Sequence, residues 1–157
     1  MFRGETTPIE KILKDDDEEG HRFIRRTCKV KVINHTERTI KDVVVKLEAI
    51  DPKPNRIMLP IELKFTGDTR QSVSLHPRES KFVDVMYWEF PRGRVPKEEW
   101  EWQYYICSTN KDIRIKQLNY TLNLVAYGEN IHAEKRLIVG KPFEGSGYKE
   151  IWMYEAP

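Results

Sequence analysis

The chain is poor in cysteine. It has two in 157 residues, Cys28 and Cys107, which permit one disulfide but lack the dense, even spacing of a cystine framework. Whether they pair stays open. Neither belongs to a C-x-x-C pair, and the four histidines, His21, His35, His76 and His132, are dispersed with no two at metal-ligand spacing. No metal and no other cofactor is expected. Long apolar runs are missing as well. The longest are four residues, as at Val85 to Trp88 and Tyr104 to Cys107, which excludes a transmembrane helix and a secretory signal with an apolar core of about seven residues or more. We therefore expect no membrane insertion by this chain and, by default, a cytoplasmic setting, with attachment through a partner still open. No Walker or dinucleotide-type glycine pattern occurs, and none of the five serines sits in a G-x-S-x-G elbow. The expectation is a protein that is not an enzyme.

A charge excess of one sign is also lacking. The 27 basic and 25 acidic residues leave a net charge of +2, so the whole-chain field favours no class of partner. The distribution is less even. Residues 1–20 hold three basic and seven acidic side chains, whereas residues 21–46 hold eight basic and two acidic ones. An acidic leader over 1–20 thus precedes a basic first third. It reads as a solvated tail, or as a segment lying against the basic strands until a partner displaces it. Within it Asp15, Asp17, Glu19 and Gly20 imitate the first half of a calcium loop. The twelfth position, where a bidentate glutamate is required, is Arg26, so no calcium site is expected.

What the chain does have is a period of two. Cys28, Val30 and Val32 alternate with Lys29, Lys31 and Ile33, which predicts a half-buried strand with a basic outer face. Val43, Val45, Leu47 and Ala49 repeat the pattern after the polar turn Asn34 to Thr39, and Asp51 to Asn55, with two prolines, stops it. Further strands are predicted at Leu59 to Phe65, Val73 to Leu75, Phe82 to Trp88, Trp100 to Ile106, Tyr120 to Ala126 and Glu134 to Val139. Tyr148 to Tyr154 is an aromatic tail that adds a further strand if it pairs. No stretch of about ten residues keeps a helical period. Short strands separated by turn signals predict an all-β fold of antiparallel sheets packed face to face. The organisation is a leader (1–20), a sandwich (21–140) and a glycine-containing link with an aromatic tail (141–157).

Three stretches carry a resemblance: Val30 to Pro52 (VKVINHTERTIKDVVVKLEAIDP), Leu75 to Met86 (LHPRESKFVDVM) and Leu118 to Gly128 (LNYTLNLVAYG). They resemble the opening strands, the proline hairpin and the penultimate strand of immunoglobulin-like β-sandwich domains of poorly characterised bacterial and archaeal proteins, over about residues 23–139. The resemblance implies an antiparallel sandwich of about seven to nine strands, often a soluble appendage of a larger or membrane-attached protein. It also implies that Tyr120 packs its ring inside and bonds its hydroxyl to nearby backbone. One departure is Arg78, which stands where that hairpin usually has glycine.

The functional expectation is a non-enzymatic module that binds a protein partner, or another copy of itself, through sheet edges, loops or the tail. Trp152 and Tyr154 share one face of the tail and suit docking by strand addition. Trp100 shares a strand face with Trp102 and Tyr104, and either fills the core or forms a stacking platform. Lys29 and Lys31, with Arg25, Lys41 and Lys46, make the basic face. A nucleic-acid partner is not expected, because the domain has no overall basic excess. The alternatives are a carbohydrate-binding module using Trp100 or Trp152 and an enzyme with a loop-assembled site. Of two sequons, Asn34-His35-Thr36 and Asn119-Tyr120-Thr121, the first falls in a turn that has room for a glycan, but without a signal peptide no glycosylation is expected.

Overall fold

Strands with one apolar face hide it by pairing into a sheet and laying that sheet on another. A computed structural model of the chain describes residues 2–6, 12–15, 23–68, 70, 72–91, 103–116, 119–140 and 152–155. Among them are twelve strands and no helix. In chain order these are β1 (Phe2–Thr6), β2 (Ile12–Asp15), β3 (Phe23–Asn34), β4 (Ile40–Asp51), β5 (Ile61–Leu63), β6 (Val73–Leu75), β7 (Ser80–Pro91), β8 (Gln103–Ile106), β9 (Ile113–Ile115), β10 (Tyr120–Gly128), β11 (Ile131–Gly140) and β12 (Trp152–Glu155). One sheet has the order β1-β3-β7-β8-β9, with β2 also on β3. The other has the order β12-β11-β10-β4-β5, with β6 also on β4. Every pairing is antiparallel.

The fold is the expected all-β sandwich. Its core, β3 to β11, has nine strands, four in one sheet and five in the other. Beyond that core, β1 and β2 from the leader line the free side of β3, and β12 from the tail lines β11. The one core strand not among those expected is β9, Ile113–Ile115.

Between the sheets, Cys28, Val30 and Val32 of β3 and Val83, Val85, Met86 and Trp88 of β7 face Val43, Val45 and Leu47 of β4 and Leu122, Leu124 and Ala126 of β10. Burying each valine, leucine or methionine among them is worth about 1.5–3 kcal/mol. Val85 and Met86 are neighbours in sequence, yet both are buried in this core. The register explains it. Cys28 opposes Met86 and Lys29 opposes Asp84, so Val85 is an extra residue on β7. Its carbonyl is not wasted, for it accepts the Cys107 N–H at 2.9 Å.

The two sheets are stitched together along one side. After pairing with β4, the chain leaving β5 crosses to the other sheet, where Phe65 bridges Val83. Thr66 N–H donates to Phe82 O at 2.8 Å and Asp84 N–H to Lys64 O at 3.0 Å. Thr109 N–H donates to Glu62 O at 3.0 Å, a second tie across the same corner. At the far end of the sandwich Tyr120 is buried and its hydroxyl donates to Lys116 O at 2.7 Å, as the resemblance implies. Gly128 closes the β10 end. A Cβ there would stand 2.5 Å from Ile40 Cγ2, so no larger residue fits without displacing it.

Arg78, in the β6–β7 turn, takes φ +63°, the left-handed conformation that glycine adopts freely. The turn is anchored by Arg78 N–H donating to Asn34 O at 2.8 Å.

Asn34 itself corrects the expectation of an open turn with room for a glycan. Its side chain is fully buried, not displayed in a turn. Nδ2 donates to Arg38 O at 2.7 Å, Leu75 O at 2.9 Å and His76 O at 3.2 Å. Oδ1 accepts from Thr36 N–H at 2.9 Å and Thr36 Oγ1 at 2.7 Å. One amide thus joins the end of β3, the β3–β4 turn and the β6–β7 turn, and none of its hydrogens is left for a glycan. Removing it strands buried carbonyls, so Asn34→Ala is expected to lower stability by about 2–3 kcal/mol in urea unfolding. A loss below about 0.5 kcal/mol, the size of an ordinary surface substitution, would show that the hub is dispensable.

Candidate functional site

Next to the stitched corner the sheets part. β5 on one side and the β8–β9 connection on the other border an open groove of about 750 Å³. Met58, Pro60, Ile61 and Glu62 line one wall, and Tyr105 and Ser108 to Arg114 line the other. Met58 is 87% exposed, the only large apolar side chain so exposed among the described residues. It sits on the connection between β4 and β5, ahead of Pro60, where the chain has left one strand and not yet begun the next.

The opposite wall is held by hydrogen bonds centred on Asp112. Ser108 N–H donates to Asp112 Oδ1 at 3.2 Å, Asn110 N–H donates to Ser108 Oγ at 3.2 Å, and Tyr87 Oη donates to Asp112 Oδ2 at 2.8 Å. Tyr87 stacks on Tyr105 with ring centroids 4.9 Å apart and planes at 17°. Register places them opposite each other on β7 and β8, so their rings share the outer face of that sheet. Tyr105 Oη donates to Gln103 Oε1 at 2.8 Å. The carboxylate of Asp112 is thereby committed to holding the loop, while Lys111 and Arg114 are exposed on it. This is a preshaped polar wall facing one where Met58, Pro60 and Ile61 stand beside Glu62, an arrangement suited to binding.

The residues singled out from the sequence lie elsewhere. Trp152 and Tyr154 belong to β12, opposite Gly140 and Ile138 of β11, so the tail adds its strand to its own sheet. Trp100 lies outside the described residues, as do Asp17, Glu19 and Gly20 of the calcium-like run. Lys31 stays on the outer face, its ammonium 5.9 Å from the Phe82 ring centroid. Lys29 departs from the solvated basic face expected of it. It is 5% exposed and its ammonium lies 3.5 Å from Asp84 Oδ1. Register makes Asp84 its direct cross-strand neighbour, so its charge is spent within the sheet. Lys46, on the other sheet, lies 5.6 Å from the Tyr127 ring centroid.

The groove's residues are absent from the sequence candidates. Met58 is one apolar letter in a loop, Tyr105 falls in an aromatic strand without distinction from its neighbours, and Asp112 acquires its partners only through folding. Among the described residues no three His, Cys, Asp or Glu side chains gather as metal ligands, and no helix is long and apolar enough to cross a membrane. No family model, curated protein or solved structure matches this chain.

Both cysteines are free and buried. Cys28 belongs to the core between the sheets, and burial pushes its thiol from 9.0 to about 12. Cys107 is raised by burial first and then by the carboxylates of Asp84 and Asp112. A thiol whose pKa is raised on folding stabilises the folded state fully below its unfolded value and loses that contribution as pH rises through the folded value. The urea midpoint is therefore expected to fall between pH 9 and about 12, and Cys28→Ala is expected to flatten the fall. An equally steep fall in the variant would show that other groups cause it. In the native protein both thiols are expected to resist alkylation at pH 8 and to react on addition of denaturant.

Proposed function

We propose that this chain is a non-enzymatic, immunoglobulin-like interaction module that binds a protein partner at the groove between β5 and the β8–β9 connection. The immunoglobulin-like part is supported by the nine-strand core of two antiparallel sheets and by Tyr120, whose hydroxyl reaches back to Lys116 O at the start of β10. The interaction part rests on one observation: the groove offers Met58 to solvent at 87% exposure while the other large apolar side chains of the described core are covered. What gives Met58 weight is its place in a concave groove beside convergent polar groups, the usual form of a binding site.

Tyr105 favours a second reading, carbohydrate binding. Its half-buried ring lies beside Ser108, Thr109, Asn110 and Glu62, which supply donors and acceptors for sugar hydroxyls.

The two readings part on one pair of measurements. Selection from a displayed library of random peptides is expected to yield ligands whose binding falls about tenfold or more in Met58→Asp, a loss of about 1.4 kcal/mol. Intrinsic fluorescence is expected to stay flat across a panel of oligosaccharides. A selection that returns no Met58-dependent ligand, together with a saturable response to one sugar that Tyr105→Ala removes, would replace the protein partner with a glycan.

A further inference from the structure

The groove's outer wall ends in β9, which has β8 on one side and no neighbouring strand on the other among the described residues. Which backbone groups face that open side follows from the ladder. Cys107 N–H points at Val85 on β7. Backbone groups along a strand alternate in direction, so Tyr105 also points toward β7, and Tyr104 and Ile106 point toward β9. Their partners are Ile115 and Ile113. The residue between them, Arg114, is left with its N–H and C=O on the open edge.

Charge selects what such an edge will accept. Lys111, Arg114 and Lys116 are all exposed, and none forms an ion pair within the described structure. The carboxylates nearby offset them only in part: Asp112, held by Tyr87 and Ser108, and Glu62, half-buried on the far wall, leave one positive charge in excess. Arg114 and Lys116 are two residues apart, so they share one face of the strand direction at a spacing of about 6.5–7 Å. A strand laid alongside would present its own alternate side chains at the same spacing.

We infer that β9 accepts an extended acidic segment of a partner protein as an added strand. Main-chain bonds form at Arg114, carboxylates at alternate positions meet Arg114 and Lys116, and an apolar side chain rests on Met58. This rests on the interaction-module reading above and specifies its partner. Main-chain pairing supplies affinity and alternate side chains supply specificity, as in other strand additions.

The test uses the full chain and an N-acetylated, C-amidated peptide of about ten residues, alternating glutamate and threonine with one central leucine. Its controls are the lysine-for-glutamate analogue and the glutamate peptide N-methylated at every second residue. By fluorescence anisotropy at low salt the glutamate peptide is expected to bind at least about tenfold more tightly than either control. Arg114→Glu and Lys116→Glu, both at exposed positions, are each expected to weaken it by about tenfold, and thermal melts check that they fold. Equal binding of the N-methylated peptide removes strand addition. Tighter binding of a single-stranded oligonucleotide replaces the acidic peptide with phosphate. If the glutamate peptide gains nothing over the lysine peptide while Met58-dependent ligands still come from the library, the acidic partner is wrong and the interaction module stands. If no Met58-dependent ligand is found either, both fall.

Discussion

The segment from Ile61 to Thr66 hydrogen-bonds to one sheet and then, within a few residues, to the other. Much of the architecture answers to that crossing. It pins β5 and β7 at a fixed separation, so Phe65 is driven into the core at 1% exposure. It also occupies the side of β7 that β8 would otherwise extend along. β8 therefore meets β7 only between Met86 and Glu89, and Cys107 takes the carbonyl of the bulged Val85 before the chain turns away. The β8–β9 connection swings out past Glu62, to which Thr109 ties it, and the space left beside that tie is the groove.

The crossing is anchored by a small polar cluster instead of apolar contact alone. Asp84 Oδ1 accepts Thr66 Oγ1 at 2.6 Å and lies 3.5 Å from the Lys29 ammonium. One carboxylate thus joins β3, β7 and the crossing segment. Pairs of this kind gain little against an apolar alternative of the same shape, but removing one partner leaves a buried charge at a cost of about 3–5 kcal/mol. Their value is in register. A slip of one residue on β3 would carry Lys29 to the core side and Cys28 outward. Asn34 plays the matching part at the other end of β3, where one amide fixes two turns at once.

The period of two was enough to read nearly all of the core strands, because burial on one face leaves a mark at every second residue. The role of Tyr120 was legible only through the resemblance carried by Leu118 to Gly128. What escaped is what depends on neighbours distant in sequence. Nothing local distinguishes Lys29 from Lys31, yet one is paired and buried against Asp84 while the other rides over Phe82. Asn34 reads as a turn residue in a sequon, and its burial follows from the β6–β7 turn closing over it. β9 went unread, though Ile113, Arg114 and Ile115 alternate. The groove is a gap between two sheets, and no run of letters encodes a gap.

Edges complete the physical picture. Four sheet edges must be managed in a sandwich of this kind, since unpaired backbone groups invite uncontrolled association. β1 and β2 line β3 in the first sheet, and β1 packs beside β11 in the second. β12 lines β11, and Thr109 takes the carbonyl that Glu62 turns outward. Among the described residues β9 also has no strand beyond it, and this short strand carries an exposed cation at Arg114 and is followed by another at Lys116. Two copies approaching through β9 would bring those cations together, and like charges across a ladder are destabilising. The same two side chains that discourage self-addition favour a strand of opposite charge, so guarding the edge and selecting its partner are one electrostatic effect.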